Sequence, residues 1–151
     1  MLRLSKKTLF ALEAVVDVAC NSRPSPVQSR SITHRQGIPQ RYLEQVMQEL
    51  VRAGILKGLR GPKGGYRLAR ERRRVTVGEI VRVVGALDLN KESGHGGTSE
   101  LGYKVVYPVW NKLQKEMMDR LNSITVEDLC NLAQEAGLTP EDEQKQVDFN
   151  I

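Results

Sequence analysis

The sequence has few cysteines, few aromatic residues and no long hydrophobic run. Only Cys20 and Cys130 occur among 151 residues, and aromatic residues make up 5%. Two thiols this far apart argue against the disulfide framework of a small secreted domain. Because each lies in an apolar helical pattern, we expect two small buried hydrophobic residues rather than a disulfide.

No apolar stretch is long enough to cross a membrane, which takes about 18 or more residues without charges. The first residues, 1–7, lead directly into an amphipathic stretch and show no apolar run with a small-residue cleavage site. We therefore expect a cytoplasmic protein with no membrane partner.

Enzyme and metal motifs are also missing. The sequence contains no Ser/His/Asp arrangement, no paired carboxylates framed by glycine and no zinc-ligand spacing. Gly61–Gly65 is not a nucleotide loop, because the Lys-Ser/Thr ending and the following helix are absent. His34 and His95 are expected to be solvated. We predict no catalytic residue, no metal site and no cofactor.

Positive charge is concentrated in one part of the chain. The net charge is +5, but residues 28–76 carry twelve Lys/Arg against three Asp/Glu. Such a concentration is typical of proteins that bind a polyanion, although a basic surface kept for solubility is the alternative. The run Arg70–Arg74 fits either a solvated face or contact with phosphate.

A short basic hairpin, Leu59–Leu68, is the most informative segment. Two arms with apolar ends flank Gly61-Pro62-Lys63-Gly64-Gly65, which predicts a tight β-turn. Gly64 and Gly65 tolerate positive φ and let another backbone come close. No acidic residue occurs in the hairpin, which therefore suits a groove or a phosphate chain better than a core.

Two helices precede the hairpin. Ser29–Gln36 forms a short helix, Gly37-Ile38-Pro39 breaks it, and residues 40–53 form a longer one that ends at Gly54. Its inward residues are predicted to be Leu43, Val46, Met47, Leu50 and Val51. A helix-turn-helix followed by a two-stranded ribbon is a winged helix. An earlier helix, capped by Ser5, runs from Lys6 to about Cys20. Its predicted buried face is Leu9, Phe10, Leu12, Val15, Val16, Ala19 and Cys20.

The second half of the chain contains a long helix with an apolar stripe. A capping box at Thr76–Glu79 opens a helix through about Leu87, and Thr125 begins a short helix that ends near Ala136. Between them, residues 103–122 predict a long helix with Pro108 in its first turn or at a kink. Its apolar stripe suggests pairing across a two-fold axis, with burial against the first helix as the alternative. The stripe residues, which we expect at the dimer interface, are Val106, Trp110, Leu113, Met117 and Leu121.

We therefore expect a mainly α-helical fold with a small β-wing, divided into four parts. A winged helix-turn-helix domain covers residues 1–87, and a flexible loop covers 88–102. The dimerisation helix and a C-terminal helix cover 103–136, and a mobile polar tail covers 137–151.

Three segments at this spacing resemble the Rrf family of bacterial winged-helix transcriptional regulators. They are Gly37–Val46, Ala53–Leu56 and Arg60–Ala69, and the resemblance extends over residues 2–135. It implies a homodimer that binds double-stranded DNA at a pseudo-palindromic operator, most often as a repressor. The residues that it places at the DNA are Arg41, Tyr42, Glu44, Gln45, Arg60, Gly61, Lys63, Gly64, Gly65, Lys6, Lys7 and Ser29.

The resemblance also suggests individual roles. Glu44 suits a cytosine amino group in the major groove, and Gln45 suits adenine or a phosphate. Arg60, with the backbone of the wing glycines, would enter the minor groove. Lys6, Lys7, Lys63 and Ser29 are candidates for phosphate contacts. Tyr42 either joins this surface or packs against the scaffold with its hydroxyl exposed.

One departure from the family concerns iron. Members that bind an iron–sulfur cluster carry three cysteines between the fourth helix and the long helix, whereas residues 88–103 contain none here. Because thiolates hold such clusters, we expect no iron–sulfur cluster. An input signal would then be a small-molecule or protein effector, or thiol chemistry at Cys20 or Cys130. The alternative to a DNA-binding regulator is a protein-interaction module on the same scaffold.

Overall fold

A computed structural model of the protein describes residues 4–92 and 99–138, with the backbone alone for residues 86–92. Within these ranges the chain forms six α-helices and one antiparallel pair of strands. In chain order they are α1 (Lys6–Asn21), α2 (Ser29–Gln36), α3 (Gln40–Arg52), β1 (Leu56–Leu59), β2 (Gly65–Leu68), α4 (Val77–Glu92), α5 (Tyr107–Asn122) and α6 (Val126–Glu135). The predicted fold class, mainly helical with a small β-wing, is confirmed.

Local sequence signals set most helix ends in the first half of the chain. Ser5 caps α1, its Oγ accepting a hydrogen bond from the Thr8 amide at 3.2 Å. Gly37 ends α2 with φ 65°, and Gly54 follows α3 with φ 75°. Both angles lie in the left-handed region that glycine adopts at little cost, so glycine is favoured at these helix ends.

The buried face of α1 differs from the prediction. Its fully buried apolar residues are Ala11, Ala14, Val15 and Val18, while Leu9 is 43% exposed. Small side chains at helical spacing let α1 lie close to α3, α4 and α6 at the centre of the fold. The larger apolar residues lie at the margin of the core, where Phe10, Leu12 and Val16 are partly buried.

Helix α3 buries the stripe that its sequence predicts, with one exception. Leu43, Val46, Met47 and Leu50 are fully buried. Val51, predicted to face inward, is exposed, because it lies one position beyond the buried stripe in the last turn of the helix. The opposite face of α3 is polar and open to solvent.

Helix α4 begins as predicted and ends later. Thr76 Oγ1 accepts a hydrogen bond from the Glu79 amide at 3.1 Å, but the Glu79 carboxylate pairs with Arg70 instead of completing a capping box. The helix continues to Glu92, so residues 88–92, predicted as loop, are helical. Residues 93–98 of the predicted loop lie outside the described residues, and residues 100–102 at its end are helical.

Helix α5 follows a π-helical segment, Gly102–Val106, so the predicted start of the long helix at residue 103 is not α-helical. Pro108 lies in the first turn of α5, as predicted. α5 packs against α4, and none of its residues is buried. Burial of the apolar stripe against α1 is therefore not what the structure shows.

Helix α6 returns the chain to the core. Two backbone hydrogen bonds, Val77 N to Ile124 O and Val126 N to Val75 O, join the segment before α6 to the segment before α4, each at 2.8 Å. Val126 and Cys130 are buried against the same core as α1. The predicted mobile tail lies outside the described residues from 139 onward. Within the described ranges no helix is long and apolar enough to span a membrane.

Candidate nucleic-acid interface

The wing is a short hairpin that is hydrogen-bonded to the segment before α2. β1 and β2 pair antiparallel with Leu56 opposite Leu68 and Leu59 opposite Gly65. Val27, in the segment before α2, pairs with Tyr66 through two backbone hydrogen bonds of 2.7 and 3.0 Å. The wing is thus hydrogen-bonded along an outer edge to the segment that leads into α2, which fixes its position relative to that helix.

Gly64 and Gly65 make room for the backbone of this chain, whereas the sequence predicted that they would let the backbone of another molecule come close. Gly64 is buried: its amide donates to Gly61 O at 2.9 Å, and a Cβ there would collide with the Leu59 carbonyl oxygen. Gly65 has φ 153°, and a Cβ there would lie 2.5 Å from the Val27 carbonyl oxygen. The chain's own backbone occupies the space next to both residues.

The exposed end of the wing is basic. Arg60, Gly61 and Lys63 are all exposed. Gly61 has φ 107° with no atom near its missing Cβ, so it shapes the turn without being crowded. The turn therefore presents two cations and an open backbone at a fixed place in the fold.

Four of the predicted contact residues share the outer face of α3. Arg41, Tyr42, Glu44 and Gln45 are exposed, with Tyr42 at 51%. The Tyr42 ring lies 6.2 Å from the ring of Phe10, centroid to centroid, at an interplanar angle of 52°. Tyr42 thus contacts the α1 scaffold on one side while its other side belongs to the exposed face.

Glu44 is held by a polar network that the sequence did not reveal. Gln40 Nε2 donates to Glu44 Oε1 at 3.1 Å, and Thr33 Oγ1 lies 2.9 Å from Gln40 Oε1. These contacts link α2 to the first turn of α3 and orient the Glu44 carboxylate. The sequence indicates only the contact between Gln40 and Glu44, because these residues are one helical turn apart.

Lys7, predicted to contact phosphate, is engaged in an ion pair within the fold. Its Nζ lies 2.8 Å from Glu49 Oε1, and both side chains are about three-quarters buried. This ion pair joins α1 to α3 across 42 positions of sequence. Lys7 therefore belongs to the scaffold beneath the basic surface.

Most of the Arg70–Arg74 run is neutralised by acidic neighbours. Arg70 pairs with Glu79 at 2.8 Å and Arg73 with Glu71 at 2.7 Å, while Arg72 lies 4.0 Å from Glu127. The structure therefore favours the interpretation of this run as a solvated, ion-paired face over a row of phosphate contacts.

The helix-turn-helix and the wing carry exposed cations without an acidic partner, as do Arg74 and the α5 residues Lys112, Lys115 and Arg120 among the described residues. Among the described residues, no acidic partner is found for the exposed side chains of α1, α2, α3 and the wing that follow: Lys6, Arg30, Arg41, Arg60 and Lys63. Arg30 was missed by the sequence analysis because it lacks a motif. Ser29, the first residue of α2, is half-buried beside it.

A buried acid fixes the helix-turn-helix from below. The Asp17 side chain, on α1, is fully buried and accepts two hydrogen bonds from Arg35, at 2.8 and 2.9 Å, and one from Gln36 at 2.8 Å. Bidentate pairing satisfies the carboxylate where water is excluded and ties the end of α2 to α1. This contact positions α2, and hence the turn into α3, without any exposed chemistry.

The α5 stripe is exposed as a continuous apolar surface. Val106, Trp110, Leu113 and Met117 are between 41% and 56% exposed, and Leu121 is half-buried. Further exposed apolar residues, Leu101, Tyr103, Val105 and Val109, lie on or next to the same helix. Within one chain, the residues that the structure describes leave this surface uncovered, which is unusual for a soluble domain of this size.

No group of three or more His, Cys, Asp or Glu side chains suited to a metal ion occurs among the residues that the structure describes. Cys20 and Cys130 come from α1 and α6, and their sulfur atoms lie 3.2 Å apart. Both are free thiols.

A family of known regulators matches this arrangement of helix-turn-helix, wing and long helix. The family model described as "Rrf2: Iron-dependent Transcriptional regulator" matches residues 4–132. The chain belongs to the Rrf2 family. It is accordingly a transcriptional regulator with the DNA-binding winged-helix fold of that family, and its relatives are regulators rather than enzymes.

Relatives within the Rrf2 family align over most of the chain. The HTH-type transcriptional regulators IscR of Klebsiella pneumoniae (strain 342) and of Escherichia coli O1:K1 are each 35% identical over 131 residues, covering 86% of this chain and 80% or 81% of theirs. The solved structure of T. potens IscR is 37% identical with a TM-score of 0.73, covering 89% of this chain and 90% of that one. CymR, the global cysteine regulator of B. subtilis, is 27% identical with a TM-score of 0.69, covering 87% and 98%.

The family is described as iron-dependent, but the donor atoms of this Rrf2 chain do not suit an iron–sulfur cluster. An iron–sulfur cluster is held by several thiolates, and the whole sequence contains two cysteines. Their sulfurs face each other between α1 and α6, too close together to leave room for a cluster between them. The residues present do not provide a cluster site.

Proposed function

We propose that the protein regulates transcription as a homodimer that binds a pseudo-palindromic operator in duplex DNA. The observation that carries this proposal is the group of exposed cations on α2, α3 and the wing that have no acidic partner within the described part of the chain, next to the exposed polar face of α3. Lys7, Arg70, Arg72 and Arg73 have acidic partners, whereas the exposed cations of α2, α3 and the wing have none among the described residues. Unpaired cations beside an exposed polar helix face suit a duplex, whose phosphates supply the missing charge.

In this proposal α3 is the recognition helix in the major groove. Glu44, oriented by Gln40, accepts a hydrogen bond from a cytosine amino group. Gln45 contacts adenine or a phosphate, and Arg41, at the start of the helix, contacts a base or phosphate next to them. Tyr42 presents its hydroxyl at the edge of the same surface while its ring packs on Phe10.

The wing enters the adjacent minor groove. Arg60 and the open backbone at Gly61 are the proposed contacts, since both are exposed at the turn. Gly64 and Gly65 contribute by shaping the turn and by admitting the Val27 backbone. Lys63, Lys6 and Ser29 are proposed to contact phosphates, which position the protein on the duplex without specifying sequence.

The α5 stripe is the proposed dimer interface. A second copy would cover the exposed apolar side chains of Val106, Trp110, Leu113, Met117 and Leu121 by antiparallel or parallel pairing of two α5 helices. A two-fold dimer places two recognition helices about one turn of DNA, roughly 34 Å, or a small multiple apart. This geometry predicts a pseudo-palindromic operator.

We propose repression as the mode of regulation and an input other than an iron–sulfur cluster. A dimer bound across a promoter blocks RNA polymerase by occupancy and needs no further contact. Any signal would arrive through a small-molecule or protein effector, or through the thiols.

Selection of bound fragments from random duplex DNA by the purified chain tests the central claim. We expect enrichment of an inverted repeat, and a salt dependence of affinity that corresponds to about five to ten phosphate contacts per dimer. Arg60→Ala should weaken binding by roughly tenfold or more. Arg73→Ala, which removes an ion-paired cation near the wing, is the matched control and should have little effect.

A chain that binds no duplex at low ionic strength, or whose Arg60→Ala variant binds like the parent, would contradict the proposal. The second result together with stable capture of a protein partner would favour the interaction module. Repression is tested separately with a reporter gene downstream of the selected operator, and an absorption spectrum of anaerobically purified protein tests for a cluster.

A further inference from the structure

Two cysteines from opposite ends of the chain meet beside the core. Cys20 lies in the last turn of α1 and Cys130 in the middle of α6, 110 positions later, and the Cys20 thiol donates a hydrogen bond to Cys130 Sγ at 3.2 Å. Cys130 is 6% exposed and Cys20 is half-buried. They are the only cysteines in the sequence, so any thiol chemistry of this protein occurs here.

The surroundings shift the pKa values of the two thiols in opposite directions. The hydrogen bond from Cys20 and, to a smaller extent, the nearby Arg72 guanidinium lower the pKa of Cys130 to about 7, against the effect of burial. Hydrogen bonding to Cys130, together with burial, raises the pKa of Cys20. At neutral pH a substantial share of the molecules therefore carries a thiolate at Cys130 and a thiol at Cys20.

We propose that Cys20 and Cys130 form a peroxide-reactive dithiol, in which Cys130 is the attacking sulfur and Cys20 the resolving one. The proposal concerns thiol chemistry alone and does not depend on DNA binding. It assigns a modification site to the contact between α1 and α6.

The reaction has two steps, with hydrogen peroxide as the oxidant. The Cys130 thiolate attacks one peroxide oxygen, the O–O bond breaks, and the departing hydroxide takes a proton to become water, which leaves a sulfenic acid on Cys130. The Cys20 sulfur then attacks the Cys130 sulfur, the S–O bond breaks, and hydroxide leaves with the Cys20 proton as water. Two thiols lose two electrons in total, and one peroxide is reduced to two waters.

A disulfide here would close a long loop. It would join α1, which carries the core of the helix-turn-helix, to α6, which follows the apolar helix α5. Cross-links between residues this distant in sequence restrict the unfolded chain strongly, so the oxidised protein should melt at a higher temperature than the reduced protein. We expect an increase of about 5 °C or more.

The test treats the fully reduced, full-length protein with equimolar hydrogen peroxide and follows free thiols, intact mass and non-reducing electrophoresis. We expect both thiols to disappear, the mass to fall by two hydrogen atoms, and the band to remain that of one chain. In Cys20→Ser the reaction should stop at Cys130 sulfenic acid, which a 1,3-diketone probe traps. In Cys130→Ser, Cys20 should stay reduced over the same interval.

Two charge variants separate the role of Arg72 from a general effect of the basic run. Arg72→Gln should slow the loss of thiols several-fold, while Arg73→Gln, whose side chain bonds Glu71, should react like the parent. Retention of both thiols, disulfide-linked dimers, or a Cys130→Ser variant that reacts as fast as the parent would each overturn the proposal. Cys130→Ala repeats the last comparison should the serine variant fail to fold.

Discussion

Arg35 holds the Asp17 carboxylate with two parallel hydrogen bonds, from Nε to Oδ2 at 2.9 Å and from Nη2 to Oδ1 at 2.8 Å. The pair connects the last turn of α2 with α1, and the Asp17 side chain has no exposed surface. Because this carboxylate is buried and paired, the stability of the helix-turn-helix is sensitive to either residue.

We predict that Arg35→Ala lowers the free energy of unfolding by about 3 kcal/mol, because it leaves a buried carboxylate with only the Gln36 amide as its remaining side-chain donor. Arg70→Ala removes an exposed bidentate pair with Glu79 and should cost less than about 1 kcal/mol. Urea unfolding followed by circular dichroism measures both values. Similar small losses for the two variants would show that the buried pair does not stabilise the domain.

Two glycines on the facing strands of the hairpin, Gly65 and Gly58, differ in what surrounds them, which gives a second prediction. Gly65→Ala should destabilise the protein by about 2 kcal/mol, because φ 153° is unfavourable for alanine and its Cβ would meet the Val27 carbonyl. Gly58→Ala, on the facing strand, meets nothing nearer than Tyr66 Cε1 at 3.8 Å and should be nearly neutral. Thermal unfolding and exchange of the Tyr66 amide hydrogen distinguish them; equal protection in both variants would refute the contact.

Replacement of Glu44 tests base recognition. Glu44→Ala should relax preference at one base pair by about 1–3 kcal/mol while lowering total affinity less, since it removes a base contact but no positive charge. Competition between the selected operator and duplexes with single base changes measures this. Gln40→Ala, which removes only the residue that orients Glu44, should give a smaller relaxation. An equal loss of affinity on every sequence would rule out a recognition role for Glu44.

The α5 stripe gives a prediction about assembly. Leu113→Glu places a charge in the middle of the exposed apolar surface and should convert a dimer to monomers, as measured by analytical ultracentrifugation. Lys115→Glu, on the opposite face of the same helix, is the control and should leave the dimer intact. Should the parent protein itself sediment as a monomer at micromolar concentration, the proposed interface would be wrong.

The acidity of Cys130 predicts a pH profile. Alkylation of Cys130 by iodoacetamide should rise with a midpoint near pH 7 and fall as pH drops below it, because only the thiolate reacts. The charged groups that act on the pair are Arg72 and Glu127 near Cys130 and Asp17 near Cys20. Cys20→Ser should keep a reactive Cys130, and Arg72→Gln should move the midpoint upward. A midpoint near 9, the value of an ordinary thiol, would contradict the prediction.

Sequence patterns predicted the parts of the fold that depend on local signals. The bounds of α2, the cap at Ser5 and the inward stripe of α3 follow from capping chemistry and helical period, and the structure has them. The same logic failed for the buried face of α1. Whether Ala14 or Leu9 is buried depends on how closely α3, α4 and α6 approach α1. The local sequence pattern does not carry that information.

Long-range pairs were beyond prediction for a related reason. Lys7 with Glu49 and Asp17 with Arg35 are separated by 42 and 18 positions, so their partners become apparent only once the helices are packed. The main change that the structure makes to the candidate site is therefore to remove cations that are paired with acidic residues. Lys7 and three of the arginines after the wing are engaged by acids, which leaves a smaller set of cations than charge counting gave.

The two hydrogen bonds between Val27 and Tyr66 have a consequence for how this regulator would select its sites. Because they join the wing to the segment before α2, the wing cannot swing about Gly54 while they remain intact. A duplex that does not match this fixed spacing would then have to bend or narrow to contact both elements. Sequences that deform at low energetic cost would be preferred even at base pairs that no side chain reaches.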